Sequence, residues 1–493
     1  MLKNNLLQIL TAILVVVSMN VSAQIFDGYA LYNSLNSQNT YLIDKDGNIA
    51  HTWNNDLPGG YAVLLKDNGN IMRGGKINTQ LNGAAVGGIV QEIDPNGNVV
   101  WEFEYSSSTY VQHHDITLMP NGGVLLTAWE VKTSAELQAA GYTGNANQKW
   151  PTHFVEVQQN GTGGQIVWEW HIWDHLIQDT DPNKPNYGVV ADHPELLDIN
   201  APVQGGGGPG GGGGDWFHVN GVDYNAELDQ IAFTSRYLSE IFIIDHSTTT
   251  SEAAGHTGGN SGKGGDFLYR WGKPSNYDHS GTQTIAGAVH DVRWIKEGRP
   301  HEGYLQFFNN VGGPGGSSTV DAINPQFAAD GYNYVYNTGQ AYGPSNYEWR
   351  HQCLDNANGQ SASDRMPNGN VFVNMSGEYM YEVDSNDNLI WQYNAGPQKA
   401  FRYTCAHPGI QALMGVDCNC DVGGAAYIDD CGDCVGGNTG LDPCVVGIEE
   451  NALTNLIEIF PNPSTGQFNV FGFPAGNKVC LLYTSDAADD ANC

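Results

Sequence analysis

The sequence predicts an all-β protein of short strands and tight turns, and three observations carry that expectation. Of its 493 residues 63 are glycine, 24 tyrosine and 12 tryptophan, a mixture that favours strands broken by turns over helices. Asn-Gly or a close variant recurs between short apolar runs, where both turn residues reach positive φ at little cost and close a hairpin. Two signatures also alternate along the chain, as a repeat architecture requires.

The first signature is a turn followed by a strand ending near tryptophan: IDKDGNIAHTW to Trp53, IDPNGNVVWEF around Trp101, VQQNGTGGQIVWEW around Trp168, GGDFLYRWG around Trp271 and VDSNDNLIWQY around Trp391. The second is strand, turn, strand: LLKDNGNIMRG, TLMPNGGVLLT, VDYNAELDQIAFTSR and DRMPNGNVFVN, with a weaker copy in HDVRWIKEGRPHEGYLQFFNN that runs on towards Trp349. Together they define four-stranded antiparallel units, and the six tryptophans predict a six-bladed β-propeller over residues 24–412. The segment up to Trp53 lacks a first strand, whereas YTCAHPGIQAL reads as a first strand with nothing after it. Pairing the two would close the ring within one blade and remove free sheet edges. Cys353 and Cys405 fall in the last blades and are candidates for a disulfide there.

In a propeller the innermost strand of each blade borders the central channel. His114, His218, His290 and His407 fall at or near the start of that strand, with Tyr61 and Ser361 in the equivalent place of two other blades. A single histidine at a strand end is most often a hydrogen-bonded structural residue, but recurrence at one blade position favours a functional cluster of His114, His218 and His290. His113 competes with His114, because adjacent strand residues face opposite ways; spacing to His218 favours His114.

Such a cluster suits a metal site, a binding mouth or nucleophilic catalysis. Three convergent imidazoles can hold zinc, but Arg236, read as lying on the second strand of the His218 blade in FTSRYLSE, sets a fixed positive charge beside them. Arginine matches a planar or tetrahedral oxyanion, and a neutral imidazole nitrogen is a nucleophile at neutral pH. The combination points to transfer of a sulfuryl or phosphoryl group. The run GGGGPGGGGG, 205–214, lacks the lysine of a phosphate-cradling loop and reads as a flexible loop ahead of DWFHVNG. A formal charge of −33 argues against nucleic acid and anionic membranes as partners. Any small anionic substrate then has to be held by local cations.

QHHDITLMPNG, DWFHVNGVDYNAELDQIAFTSRYLSEIFIID and AVHDVRWI, in that order, resemble the bacterial aryl-sulfate sulfotransferases that use no nucleotide sulfate donor. The resemblance covers most of residues 24–412 and is most specific between Asp215 and Asp245. It implies that His290 is the nucleophile forming a sulfohistidine, that His114 and His218 bind sulfuryl oxygens and assist proton transfer, and that Arg236 stabilises transition-state charge. Asn220 is read as a further donor to substrate, and Trp216 as a surface for aromatic rings. The implied reaction is ping-pong, from a phenolic sulfate donor to a phenolic acceptor, with no metal or organic cofactor. A non-catalytic ligand- or glycan-binding propeller at the cell surface is the alternative. A quinone-dependent dehydrogenase ranks last, for want of its motifs.

The ends of the chain address the compartment. Lys3, an apolar run from Leu6 to Val17 and Val21-Ser22-Ala23 read as a signal peptide over 1–23, too short to span a bilayer. From 417 to 446 the chain becomes rich in cysteine and aspartate. Cys418-x-Cys420 and Cys431-x-x-Cys434 resemble zinc half-sites, but export favours disulfides. Asp417, Asp421, Asp429, Asp430 and Asp433 suit a structural calcium. NLIEIFPNPSTGQFNV resembles the start of a type IX secretion sorting domain, a truncated β-sandwich over 453–479. It implies the type IX secretion machinery as a partner and a secreted or surface-attached protein. Residues 480–493 read as a translated sequencing-library adapter.

Overall fold

The computed structural model describes residues 24–33, 36–203, 214–283, 285 and 288–444, together with the strand pair 458–460 and 469–471. The chain divides into two compact units, Met1–Ala425 and Ala426–Cys493. Among the described residues, no helix is long and apolar enough to cross a membrane.

The first unit is a six-bladed β-propeller of four-stranded antiparallel sheets. The innermost strands of blades 1 to 5 are Gly59–Leu65, Tyr110–Leu118, Val219–Asn225, Val289–Trp294 and Ala362–Arg365. Blade 6 joins both ends of the repeat: Ala400–Thr404 pairs with Gly28–Asn33, followed by Asn39–Ile43 and Ile49–Asn54. The ring closes inside one blade, as the unpaired end segments require. Glycines with φ of 83–88° occupy the hairpin tips after the first strands of blades 1, 2 and 5, at Gly69, Gly122 and Gly369, a conformation that costs a side-chain-bearing residue dearly. The six tryptophans all sit in outermost strands, five of them buried. Truncating a buried tryptophan typically costs about 3–5 kcal/mol, so these rings are main anchors of the blade edges.

Two expectations are corrected. Cys353 is a free, buried thiol, and Cys405 is bonded to Cys420 instead of Cys353. His407 is not in an innermost strand: the last strand ends at Thr404, and the His407 side chain caps the helix Pro408–Met414 by accepting from the Gly409 N–H at 3.1 Å. Pro408 at the first helical position, with its fixed φ, starts the helix there.

In the second unit Tyr427–Ile428 pairs with Cys434–Val435, and Cys431 is bonded to Cys444. The cysteines from Cys405 to Cys444 are disulfide-bonded, as oxidising export predicts, and not metal thiolates. Glu458–Phe460 pairs antiparallel with Asn469–Phe471 inside the segment read as a sorting domain. The remainder of 453–479, the leader 1–23, residues 205–213 of the glycine run and the tail 480–493 lie outside the described residues.

Candidate functional site

Each histidine is aimed by a bulge. The pairing register shifts between Gln112 and Ile116, between Val219 and Gly221, and between His290 and Arg293. His114, His218 and Asp291 have left-handed φ of 49°, 50° and 54° beside or within those irregularities. A bulge breaks strand alternation and re-aims side chains, which is why His113 and His114 do not simply face opposite ways. Their Nδ1 atoms meet at 2.7 Å, so one donates and the other accepts. His113 stacks on Trp129 with ring centroids 4.1 Å apart. His114 instead meets the His218 ring at 4.5 Å, and its buried Nε2 has no hydrogen-bond partner.

His218 and Arg236 line a cavity of about 380 Å³ with Tyr61, Gln360, Ser376 and Gln398. Arg236 lies one residue beyond the strand Gln230–Ser235, in the turn, where its backbone N–H bonds the His218 carbonyl at 3.1 Å. Arg270, Arg350 and Arg402 are paired with Glu240, Asp321 and Glu382. Among the described residues Arg236 has no such ion pair, so its charge is available to an anion in the cavity.

Asp215 accepts from His218 Nδ1 at 2.6 Å and from the His218 backbone N–H at 3.2 Å, fixing both ring and main chain. The proton on His218 Nδ1 follows from its carboxylate partner and leaves Nε2 for substrate. The tautomer of His290 follows from its neighbour Asn310, whose Nδ2 donates to the carbonyls of Ala357 and Gln360 at 2.9 and 3.2 Å. Asn310 Oδ1 therefore faces His290 Nδ1, 2.6 Å away, and Nδ1 carries the proton. His290 Nε2 holds the lone pair and accepts the Gln360 N–H at 3.0 Å. Gln360 and Ser361 are both left-handed, with φ of 51° and 87°, so the segment covering this nitrogen is under backbone strain.

Burial pushes the His290 imidazole well below its usual range; the Asn310 hydrogen bond opposes this, and His218, Arg236 and Lys399 reinforce it. Burial likewise lowers His114, with the His218, His113, His290 and Lys399 charges adding to it, and lowers His113, with His218 adding to it. All three rings are neutral at neutral pH.

Below the histidines lies a charged layer that the sequence reading missed. Lys399, with no exposed side-chain surface, bonds Asp115 at 2.6 Å and Asp291 at 3.1 Å, and Arg293 bonds Asp291 at 3.0 Å. The aspartates also stitch blades together: Asp115 accepts from the Val222 N–H and Asp291 from the Ser363 N–H. Burial works against charge on Asp291, but Arg293 and Lys399 hold its carboxyl below the usual range. Arg293 also borders a second cavity, about 250 Å³, at the opposite ends of the innermost strands, where His407 lies. The ionic layer thus stands between the two mouths. Asp115 and Asp291 directly follow His114 and His290, and that doublet was the signal available; Lys399 has none.

Two sequence-predicted residues turn away from the cavity. The Asn220 amide donates to the Val289 carbonyl at 2.9 Å and accepts from Thr234 Oγ1 at 2.6 Å, joining blade 3 to blade 4. Trp216 is buried, stacked on Phe217 at 4.6 Å with Tyr142 against it.

Fold and site together define a propeller with neutral imidazoles and an unpaired arginine gathered at one mouth, an arrangement suited to an oxyanion-bearing group. The arylsulfotransferase (ASST) family model matches residues 12–338, more than half of the chain, and the chain belongs to that family. Membership supports sulfotransferase chemistry. No curated protein matches the sequence. Solved structures with some likeness include BamB from Moraxella catarrhalis, 11% identical, covering 76% of each chain at a TM-score of 0.31. The Cps50 (Swd1) β-propeller domain of Myceliophteria thermophila is 9% identical, covering 75% of this chain and 86% of its own at a TM-score of 0.37. Likenesses this weak carry no argument about function.

Proposed function

We propose that the protein moves a sulfuryl group from a phenolic sulfate ester to a phenolic acceptor, through a sulfohistidine on His290. The observation that carries the reading is the fixed tautomer of His290, with Nδ1–H held by Asn310 and the lone pair on Nε2. In the first half-reaction Nε2 attacks sulfur, the N–S bond forms as the S–O(aryl) bond breaks, and Asn310 Oδ1 receives the positive charge building at Nδ1–H. Arg236 grips the sulfuryl oxygens as their charge redistributes. The aryl oxygen leaves as the phenolate, and His218, oriented by Asp215 through its Nδ1–H, keeps its Nε2 lone pair for the acceptor. In the second half-reaction it takes the acceptor's proton while the acceptor oxygen attacks sulfur and the N–S bond breaks. His114 Nε2, buried and unpartnered, is a further contact for a sulfuryl oxygen. The Gln360 N–H has to release Nε2 first, and the strain at Gln360 and Ser361 favours that movement.

The propeller's export, by a leader and the type IX machinery, belongs to the same proposal and rests on the sequence resemblance alone. The kinetic test uses a chromogenic aryl sulfate with varied phenol. Parallel double-reciprocal lines, and loss of turnover in His290→Ala, are expected. Intersecting lines would exclude a covalent intermediate, and binding of aryl sulfates without phenol release by the folded protein would favour a binding propeller.

A further inference from the structure

Residues 254–265, AGHTGGNSGKGG, connect the third and fourth strands of blade 3 and hold six glycines. Between Ala253 and Phe267 no apolar side chain is buried, so hydrophobic burial does not offset the roughly 1–2 kcal/mol per residue that ordering a backbone costs. Something other than a core has to fix this segment against blade 2.

His175, just past the outermost strand of blade 2, and His256 and Asp266 of the blade 3 connection converge on one point. Both Nδ1 atoms lie 2.8 Å from the same oxygen, Asp266 Oδ1, and the three donor atoms are all within 4.8 Å of one another. His175 Nε2 is 2.8 Å from the Ala253 carbonyl, which can only accept, so Nε2 carries the proton. His175 Nδ1 then faces a carboxylate oxygen that is itself only an acceptor. The contact is satisfied either by a second proton on the ring or by a metal ion shared by the two atoms, and the geometry of all three donor atoms suits the ion. A backbone carbonyl that fixes one ring nitrogen and frees the other for the ion is the usual support of a metal-bound histidine. The ring is further locked by Trp170, stacked at 5.5 Å, whose indole N–H donates to the Gly265 carbonyl at 2.7 Å.

We propose that His175, His256 and Asp266 form a site for a divalent transition-metal ion of the zinc class, which staples the glycine-rich connection of blade 3 to blade 2. Two imidazoles and one carboxylate suit zinc, with a fourth position left for water. The His175 side chain is fully buried and Asp266 nearly so, whereas the His256 side chain is 59% exposed and marks the solvent side by which an ion enters. The site is separate from the sulfuryl-transfer cluster and does not depend on that reading.

The test strips the full-length protein with a chelator and titrates it with Zn²⁺ by calorimetry, following Tm in parallel, with Co²⁺ as a spectroscopic probe. One zinc per chain, a Tm that rises with zinc, and the visible bands of low-coordinate cobalt are expected. His256→Ala, at an exposed position, keeps the metal-free Tm but loses the zinc-induced rise and the cobalt bands. Asp266→Asn weakens binding. An absence of zinc binding would overturn the proposal in favour of a protonated histidine clamp, and so would binding that His256→Ala leaves unchanged.

Discussion

At the scale of single residues, the proposed chemistry depends on imidazoles that stay neutral. Burial lowers His113, His114 and His290 well below the usual range, so with His290 as the proposed nucleophile its acid limb falls below pH ~6.5; kcat/KM measured against pH checks this. The same shifts bear on stability. Between the depressed folded values and about 6.5 the unfolded chain binds more protons, so stability is full above that window and falls as pH drops through it. Chemical denaturation at several pH values would record the fall. Arg236→Lys is expected to lower kcat about 10²–10³-fold, as losing one preorganised donor to transition-state charge does. The imidazoles were legible because they recur at one blade position. The orientation of Asn220 and Trp216 was not, because a residue's place on or just before a strand says nothing of which neighbouring segment claims its side chain.

At the scale of elements, six innermost strands, four of them bulged, are held in one arrangement by a buried ionic layer. Lys399 reaches Asp115 of blade 2 and Asp291 of blade 4 from the start of the blade 6 strand. Each aspartate adjoins a histidine of the site, so Lys399 is a positioning residue for His114 and His290. Removing one partner from a buried ion cluster typically costs about 3–5 kcal/mol, and Lys399→Met is expected to lose that much in denaturant titration. A loss below about 1 kcal/mol would show that the layer is not structural. Strand order and hairpins were readable from turn chemistry and tryptophan spacing. The bulges were not: a bulge adds a residue without changing residue type, and it alone decides which way His113 and His114 point. His407 misled for a related reason, since a histidine before proline serves a helix cap as readily as a strand.

At the scale of the whole molecule, a formal charge of −33 opposes the approach of an aryl sulfate, and Arg236 acts only at short range. Raising ionic strength from about 0.01 M to about 0.15 M shortens the Debye length from ~30 Å to ~8 Å. kcat/KM for an anionic donor is therefore expected to rise over that range while kcat stays constant; stopped-flow or initial-rate data would check it. Propeller closure was legible in the sequence because each chain end carried an incomplete blade. The Cys405–Cys420 bond was not, since the pairing depends on a helix after the last strand that strand periodicity does not announce.

In the proposed cycle the sulfuryl group rests on His290 Nε2 between the two half-reactions. Rapid quenching of the protein with an aryl sulfate and no acceptor, at alkaline pH to preserve an N–S bond, followed by peptide mass spectrometry, tests it most directly. One SO₃ addition is expected on the peptide bearing His290, discharged when phenol is added before the quench. Labelling of His114 or His218 instead, with His290 unmodified during active turnover, would contradict it.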